Sequence, residues 1–368
     1  MNDMIKAERE KIFSRKPTRI LLIMGLAIIV GYFFLFTFNY NEVFYNYNTG
    51  KMDVTSGFAA VEHRKETAAD FQGELTSETL SKMQERIDAA KADTIDKDEN
   101  SAFSAVHVYR DQSAMLEYLK NPDGSIKPLT EAYPKHQSII LGYCDGWDKM
   151  LSAMGSVTAL LMCLLIVIAL SPIFSEDYAH HTDSVIYAAR YGRSKLVSAK
   201  IIASLEAVLA IYFILLLLNL ILYGTFYGLQ GWNVSIQASL HYASSTYNLT
   251  FLQMFLISVA FNVFGIVVLT VITLLISAKM NSPVTALICS FLVCFVPVLF
   301  DFTDSLPFLQ KVQELCPIYM LHVNGIFAIL KTYAGLSQPV AICMFNLVLV
   351  LLLFYRTKEI AKRHQVVG

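Results

Sequence analysis

Ser171-Pro-Ile-Phe-Ser-Glu-Asp-Tyr-Ala-His-His-Thr-Asp-Ser-Val-Ile-Tyr-Ala-Ala-Arg-Tyr-Gly-Arg-Ser-Lys-Leu-Val-Ser-Ala-Lys200 joins two strongly apolar stretches, Leu151–Phe174 and Ile201–Tyr223. A helix needs roughly 20 apolar residues to cross the hydrocarbon core of a bilayer. Both flanks come close to or exceed that length, so the polar run between them stands outside the membrane. Arg190, Arg193, Lys195 and Lys200 mark its face as the inner one, because short loops rich in Lys and Arg stay in the cytoplasm.

Working outward, the chain of 368 residues is 55% hydrophobic and only 16% charged, where a soluble domain averages about 25% charged residues. Its mean hydropathy is +0.48. Six segments read as spanning helices: Ile20–Phe38, Leu151–Phe174, Ile201–Tyr223, Phe251–Ile276, Val284–Phe300 and Val340–Tyr355, the last two short. Helices are expected because backbone polar groups in lipid must be satisfied within the segment. Basic flanks before the first span (Lys6 to Arg19) and after the sixth (Arg356, Lys358, Lys362, Arg363) place both termini inside. The connection 224–250 has no Lys or Arg and lies outside. The first span lacks a clear cleavage site and reads as an uncleaved anchor. The fold class expected is an all-α polytopic membrane protein with six transmembrane helices.

Residues 1–19 form a cytoplasmic segment in which Met4, Ile5, Ile12 and Phe13 fall near one helical face, as in an amphipathic surface helix. Residues 20–38 are the first span. Residues 39–149 make a large outer excursion with nineteen acidic and twelve basic residues, a net of −7. Within it Thr76 is a candidate N-cap, and Leu80, Met83, Ile87 and Ala90 recur at helical spacing. A mostly helical extracellular domain is expected. Residues 150–368 hold the remaining spans. Segment 301–338 carries Pro307 and Pro317 yet is too apolar for a solvated loop, and reads as short helices dipping back into the outer half of the membrane. Of six cysteines, Cys144 and Cys316 fall on the outer side and read as free thiols.

The segment quoted first resembles the permease subunits of ABC type-2 exporters. In that family a Phe-x-Glu closes the second span, matched here by Phe174 and Glu176. A Gly/Ser-Arg-x-x-Lys-like run then leads into the third span, matched by Gly192, Arg193, Lys195 and Lys200. The resemblance covers most of the chain outside 39–149. It implies a bacterial cytoplasmic-membrane transport subunit that pairs with a second permease chain and with separate ABC ATPase subunits. ATP and Mg would bind those ATPases, and no cofactor would bind this chain, which has no G-x-x-x-x-G-K-[ST] phosphate loop. It also implies that segment 174–200 receives the motor's push. A short turn capped by Asp183 and ended before Gly192 suits that task, since a coupling element must transmit displacement without absorbing it. A large outer domain at 39–149 is similar to a subgroup linked to peptide or antibiotic export, and its acidity suits a cationic, antimicrobial-type peptide; a lipid-like substrate stays open.

Glu206 lies about 9 Å along its helix from Lys200, at 1.5 Å per residue. A structural ion pair is its first reading and a substrate path the functional one. Asn219, Asn262 and Asn346 are likewise read as interhelical hydrogen-bonders first and path-lining groups second. His180 and His181 make no convincing metal pair, because adjacent side chains on a helix diverge. All eight histidines lie outside the spans and no H-E-x-x-H occurs, which argues against an intramembrane protease, and nothing points to nucleic acid. The rival class is a membrane sensor whose outer domain binds a ligand without transport.

Overall fold

The computed structural model describes residues 1–46, 51–95, 109–136, 138–188, 192–299 and 307–363. Among the described residues, five helices are long and apolar enough to cross a membrane: Lys16–Phe38, Asp145–Ala179, Val197–Phe226, Phe251–Lys279 and Gln338–Ala361. Between the last two, Pro283–Leu299 is apolar but has 17 residues, about 25 Å of helix against a hydrocarbon core of about 30 Å. The last helix is longer than its apolar stretch indicates, running 26 residues from Gln338 to Arg363. Its polar C-terminal turns continue the helix beyond the apolar residues.

Helix 145–179 is the hub of the bundle. In its most apolar window 72% of residues are buried, against 17% for helix 16–38 and 22% for helix 338–361. Its 35 residues extend about 52 Å, against a hydrocarbon thickness of about 30 Å. The helix therefore starts earlier than the apolar pattern implies, at Asp145, inside the excursion. Helix 251–279 packs beside it and opens with a capping box: Gln253 N donates to Thr250 Oγ1 at 3.4 Å, and Thr250 N donates to Gln253 Oε1 at 3.0 Å.

The excursion folds around its own small core. Helix Ser77–Ile95 starts after Thr76, whose Oγ1 accepts from Thr79 N at 3.2 Å, and Leu80, Met83, Ile87 and Ala90 are buried. They pack with Met115, Leu116 and Leu119 of helix Arg110–Leu119 and with Tyr133. More strand is present than the sequence suggests: hairpin Glu42–Asn46 with Lys51–Thr55, and Gly73–Glu74 paired with Ile140–Leu141. The core also takes in Ala243 from the 227–250 connection, so excursion and connection fold as one cap.

That cap is fastened to the bundle by charge and by close backbone contact. Arg64 sits among Asp145 (3.0 Å), Asp111 (2.9 Å) and Glu42 (3.8 Å), while Lys149 reaches Glu42 at 3.2 Å and lies over the Tyr227 ring. Burial works against the Arg64 charge, but Asp145, Asp111 and Glu42 outweigh it and hold the guanidinium well above its ordinary pKa. Beside them, a Cβ on Gly146 would meet the Gly228 carbonyl at 2.2 Å, and one on Gly231 would meet the Tyr143 carbonyl at 2.0 Å. Trp147 Nε1 donates to Leu229 O at 3.0 Å across the same seam.

Segment 307–337 forms short helices Pro307–Glu314 and Val323–Ala328, a 3-10 turn at Pro317–Met320, and hairpin strands Thr332–Tyr333 and Leu336–Ser337. Residues 300–306 lie outside the described residues. The segment presses on helix 251–279 where Gly265 leaves room for Leu321, Met320 and the Pro317 carbonyl. Gln313 Nε2 and the Tyr319 hydroxyl (3.3 Å) both donate to Pro297 O, satisfying a carbonyl near the end of helix 283–299. Cys144 and Cys316 are both free thiols.

Candidate functional site

At the end of the bundle remote from the cap, three helices exchange ion pairs. The N-terminal helix Asn2–Ser14 lies along helix 197–226, which Glu8 and Arg9 reach, while Lys11 and, just past the helix end, Arg15 reach helix 145–179. Ile12 is fully buried. Lys200 Nζ, on a residue only 3% exposed, lies 2.8 Å from Asp177 and 3.3 Å from Glu8 and donates to Ile173 O at 2.9 Å. Its ammonium also lies 5.7 Å from the centre of the Phe174 ring. Lys11 meets Asp177 from the other side at 3.1 Å, Arg15 pairs with Glu176 and donates to Ala169 O at 3.2 Å, and Arg9 pairs with Glu206 at 2.9 Å.

Four acids and four bases thus balance within one cluster. Their worth differs with burial. Arg9 and Glu206 are 44% and 42% exposed, and a pair so wetted contributes about 0–1 kcal/mol. Lys200 is buried, and its three acceptors hold it in place.

The acidic pair is aimed by an interruption near the end of helix 145–179. Pro172 has no N–H and leaves a gap in the hydrogen-bond ladder after Ser171. Ser277 of helix 251–279 fills the gap: its hydroxyl donates to Ser171 O at 2.6 Å and accepts from Phe174 N at 3.0 Å and Ser175 N at 3.3 Å. The turn bearing Phe174, Glu176 and Asp177 is thereby tied to a neighbouring span. It ends at His181, which adopts a left-handed φ of 54°, with Thr182 N donating back to Asp177 O at 3.0 Å.

The sequence-derived residues fall into three groups. Phe174, Glu176 and Lys200 converge in the cluster. Asp183 begins the short helix Asp183–Ala188, and Gly192, Arg193 and Lys195 lie in the turn Gly192–Leu196 leading into helix 197–226, with Gly192 buried and Lys195 exposed. The side chains of Asp183 and Arg193, and residue Arg190, lie outside the described residues. Asn219, Asn262 and Asn346 are buried and bind between helices: to Thr158 Oγ1 at 3.1 Å, Tyr212 Oη at 3.2 Å and Leu315 O at 2.9 Å. Glu206 pairs with Arg9, not Lys200, because six residues turn about 600° and put the two on different faces. Sequence reasoning does not single out Asp177, Glu8, Lys11, Arg15 or Ser277 as site residues. The helical spacing of Glu8, Lys11 and Arg15 beside Ile12 is the signal that points to them, and basic residues so placed otherwise speak only of orientation. Among the described residues no group of three metal-ligating side chains gathers.

A family profile described as "ABC-2 family transporter protein" matches residues 14–313, which takes in the cap, all but the last long helix, and the cluster residues from Arg15 onward. The chain belongs to the ABC-2 transporter family. No curated protein and no solved structure matches it. This ABC-2 transporter is accordingly a multi-pass membrane permease, and its cluster lies on the segment that carries the family resemblance.

At the cap end of this ABC-2 transporter, His241 Nδ1 lies 3.0 Å from Asp148 Oδ2, and Ser239 Oγ donates to Asp148 Oδ1 at 2.8 Å. The hydrogen bond and charge of Asp148 raise the His241 pKa above 6.5. A raised folded-state pKa means the pair's stabilisation is full below about pH 6.5 and is lost as pH rises through the folded value. Thermal unfolding of the His241→Gln protein between pH 5.5 and 8.5 is expected to show a flatter pH dependence than wild type, with the largest deficit at the acidic end. An identical profile would remove His241 from the balance.

Proposed function

We propose that this chain is the permease subunit of an ATP-driven exporter, moving a peptide, antibiotic or lipid-like substrate with energy from a separate ATPase that engages segment 174–200. The observation that carries the coupling is the Lys200–Asp177–Glu8 knot with Arg15 on Glu176. It joins the segment, the N-terminal helix and helices 145–179 and 197–226, so that force on the turn moves rods and does not bend a loop. Helix 145–179 runs from the knot to the Arg64 network, a path of about 52 Å along which displacement can reach the cap. Packed elements with two discrete arrangements are the physical means by which distant sites couple.

In this reading helix 283–299 completes six crossings with help from segment 307–337, both termini are cytoplasmic, and the cap is extracellular. A second permease chain supplies the other wall of the path, because Asn219 and Asn346 spend both amide N–H groups, and Asn262 one, inside the single chain. The net −7 of 39–149 favours cationic substrates. The alternative of a ligand-sensing membrane protein keeps the cap and drops the motor.

The test is ATPase stimulation in the complex with its motor subunit. Glu176→Gln releases Arg15 from its carboxylate and is expected to lower permease-dependent stimulation at least about twofold, with assembly intact, as for coupling changes of 0.5–2 kcal/mol. Glu206→Gln, on the exposed pair, is expected to leave it within experimental error. Undiminished stimulation in Glu176→Gln removes that pair from coupling, and failure of any ATPase to co-purify favours the sensor.

A further inference from the structure

The break at Pro172 joins the turn bearing Glu176 and Asp177 to the rest of helix 145–179. A hydroxyl has one proton to donate and two lone pairs to accept with, and Ser277 uses all three there. Ser171 O takes the proton at 2.6 Å, and Phe174 N and Ser175 N donate to the oxygen at 3.0 and 3.3 Å. Ser171 is 1% exposed and Ser175 and Ser277 are fully buried, so water does not reach the break to stand in for that hydroxyl. Ser175 Oγ also donates to Ser171 O, at 2.8 Å, but ties the break only to its own helix. Ser277 ties it to helix 251–279.

That helix carries the attachment toward the cap end. Twelve residues from Ser277, about 18 Å along the helix, Gly265 seats segment 307–337. A Cβ at Gly265 would lie 2.6 Å from Leu321 Cδ1, 2.9 Å from Met320 Cβ and 3.2 Å from the Pro317 carbonyl oxygen. Contact this close includes backbone, which cannot swing aside as a side-chain tip can. Helix 145–179 meets the same segment more loosely. At Gly155 a Cβ would find the Asn324 amide at 3.5 Å and His322 Cα at 3.8 Å, ordinary van der Waals distances. Movement of helix 251–279 therefore reaches segment 307–337 more directly than movement of helix 145–179 does.

We propose that Ser277 is a positioning residue of the transport cycle, latching the acid-bearing turn to helix 251–279 so that one push moves two helices. Helix 145–179 carries the push to the cap, and helix 251–279 carries it through the Gly265 seat to segment 307–337. Alanine at 277 leaves Phe174 N and Ser175 N without this acceptor, and the turn then shifts without dragging helix 251–279. The latch rests on the coupling at segment 174–200 proposed above and gives the motor's push a second way out. Intermediate position between two sites is not coupling, so the route is tested by a variant that cuts one branch and spares the other.

The experiment is hydrogen exchange read by mass spectrometry on the complex with its motor subunit, with and without a non-hydrolysable ATP analogue, beside ATPase stimulation. In wild type the analogue is expected to change exchange in both the cap and segment 307–337. Ser277→Ala is expected to abolish the change in 307–337 and keep that in the cap. It is also expected to lower maximal stimulation at least about twofold, with the half-saturating ATP concentration unmoved. Ser277→Thr, which keeps the hydroxyl, is expected to restore both readouts. Loss of both exchange changes together in Ser277→Ala marks a general packing defect and overturns the latch. An undiminished response of 307–337 in Ser277→Ala overturns it too, as does a threonine variant no better than alanine. Should Ser277→Ala fail to assemble, wild type decides: an analogue that alters exchange in the cap but not in 307–337 refutes the second route. Lowered stimulation in Glu176→Gln with none in Ser277→Ala removes the latch alone, whereas undiminished stimulation in Glu176→Gln removes the coupling on which it rests.

Discussion

Replacing Lys200 by methionine is expected to destabilise the folded protein by about 3–5 kcal/mol, the usual consequence of removing one partner from a buried ion pair. Asp177 keeps Lys11, but Glu8 loses its ammonium partner and Ile173 O a donor. The measurement is thermal unfolding followed by tryptophan fluorescence, with a midpoint expected to fall on the order of 5 °C or more. Lys200→Met/Asp177→Leu is expected to recover part of the loss, because an apolar replacement of a whole buried pair is often neutral or better. Arg9→Met, on the exposed pair, should cost under about 1 kcal/mol. If Lys200→Met unfolds like Arg9→Met, the buried cluster does not hold the N-terminal helix.

Gly231→Ala is expected to cost still more at the other end. Gly231 adopts φ +83°, which L side chains rarely do, and its Cβ would lie 2.0 Å from the Tyr143 carbonyl oxygen and 3.0 Å from its carbon. Backbone in a paired seam cannot rotate aside as a side chain tip can. The left-handed conformation alone costs about 1–2 kcal/mol, and the overlap has to be relieved by parting the connection from residues 143–147. That parting would also open the Trp147–Leu229 hydrogen bond and expose the Arg64 network to water. Loss of the monodisperse folded protein in size-exclusion chromatography, with protease cleavage inside 39–149, is the outcome anticipated. Gly31→Ala, where a Cβ meets nothing within 4 Å, is the control and should behave as wild type. A well-folded Gly231→Ala protein with wild-type melting would show that the seam does not hold the cap.

Several elements are legible in the amino-acid order alone. Helix 77–95 follows from Leu80, Met83, Ile87 and Ala90, because burial on one face demands that period. The short helices of 307–337 follow from apolar residues between Pro307 and Pro317 and from the apolar run after Pro317. The strands at 73–74 and 140–141 are not legible, since two-residue pairings carry no periodicity of their own. Nor is the start of helix 145–179, whose Asp145 and Asp148 look like loop residues until Arg64 and His241 are placed beside them.

The charge cluster shows where the boundary lies. Glu176 stands out through its resemblance to the family's Phe-x-Glu, and Lys200 as a basic residue where a polar run meets an apolar one. Their partners do not, because Arg15 is 161 residues from Glu176 and Glu8 is 192 from Lys200. Hydropathy and helical period belong to each segment alone, so the amino-acid order by itself determined the long apolar helices and the polar segment that links two of them. Which acid meets which base depends on how closely separate helices approach and on the angle about each axis. That is a property of pairs of segments, and only the packed tertiary structure decided it.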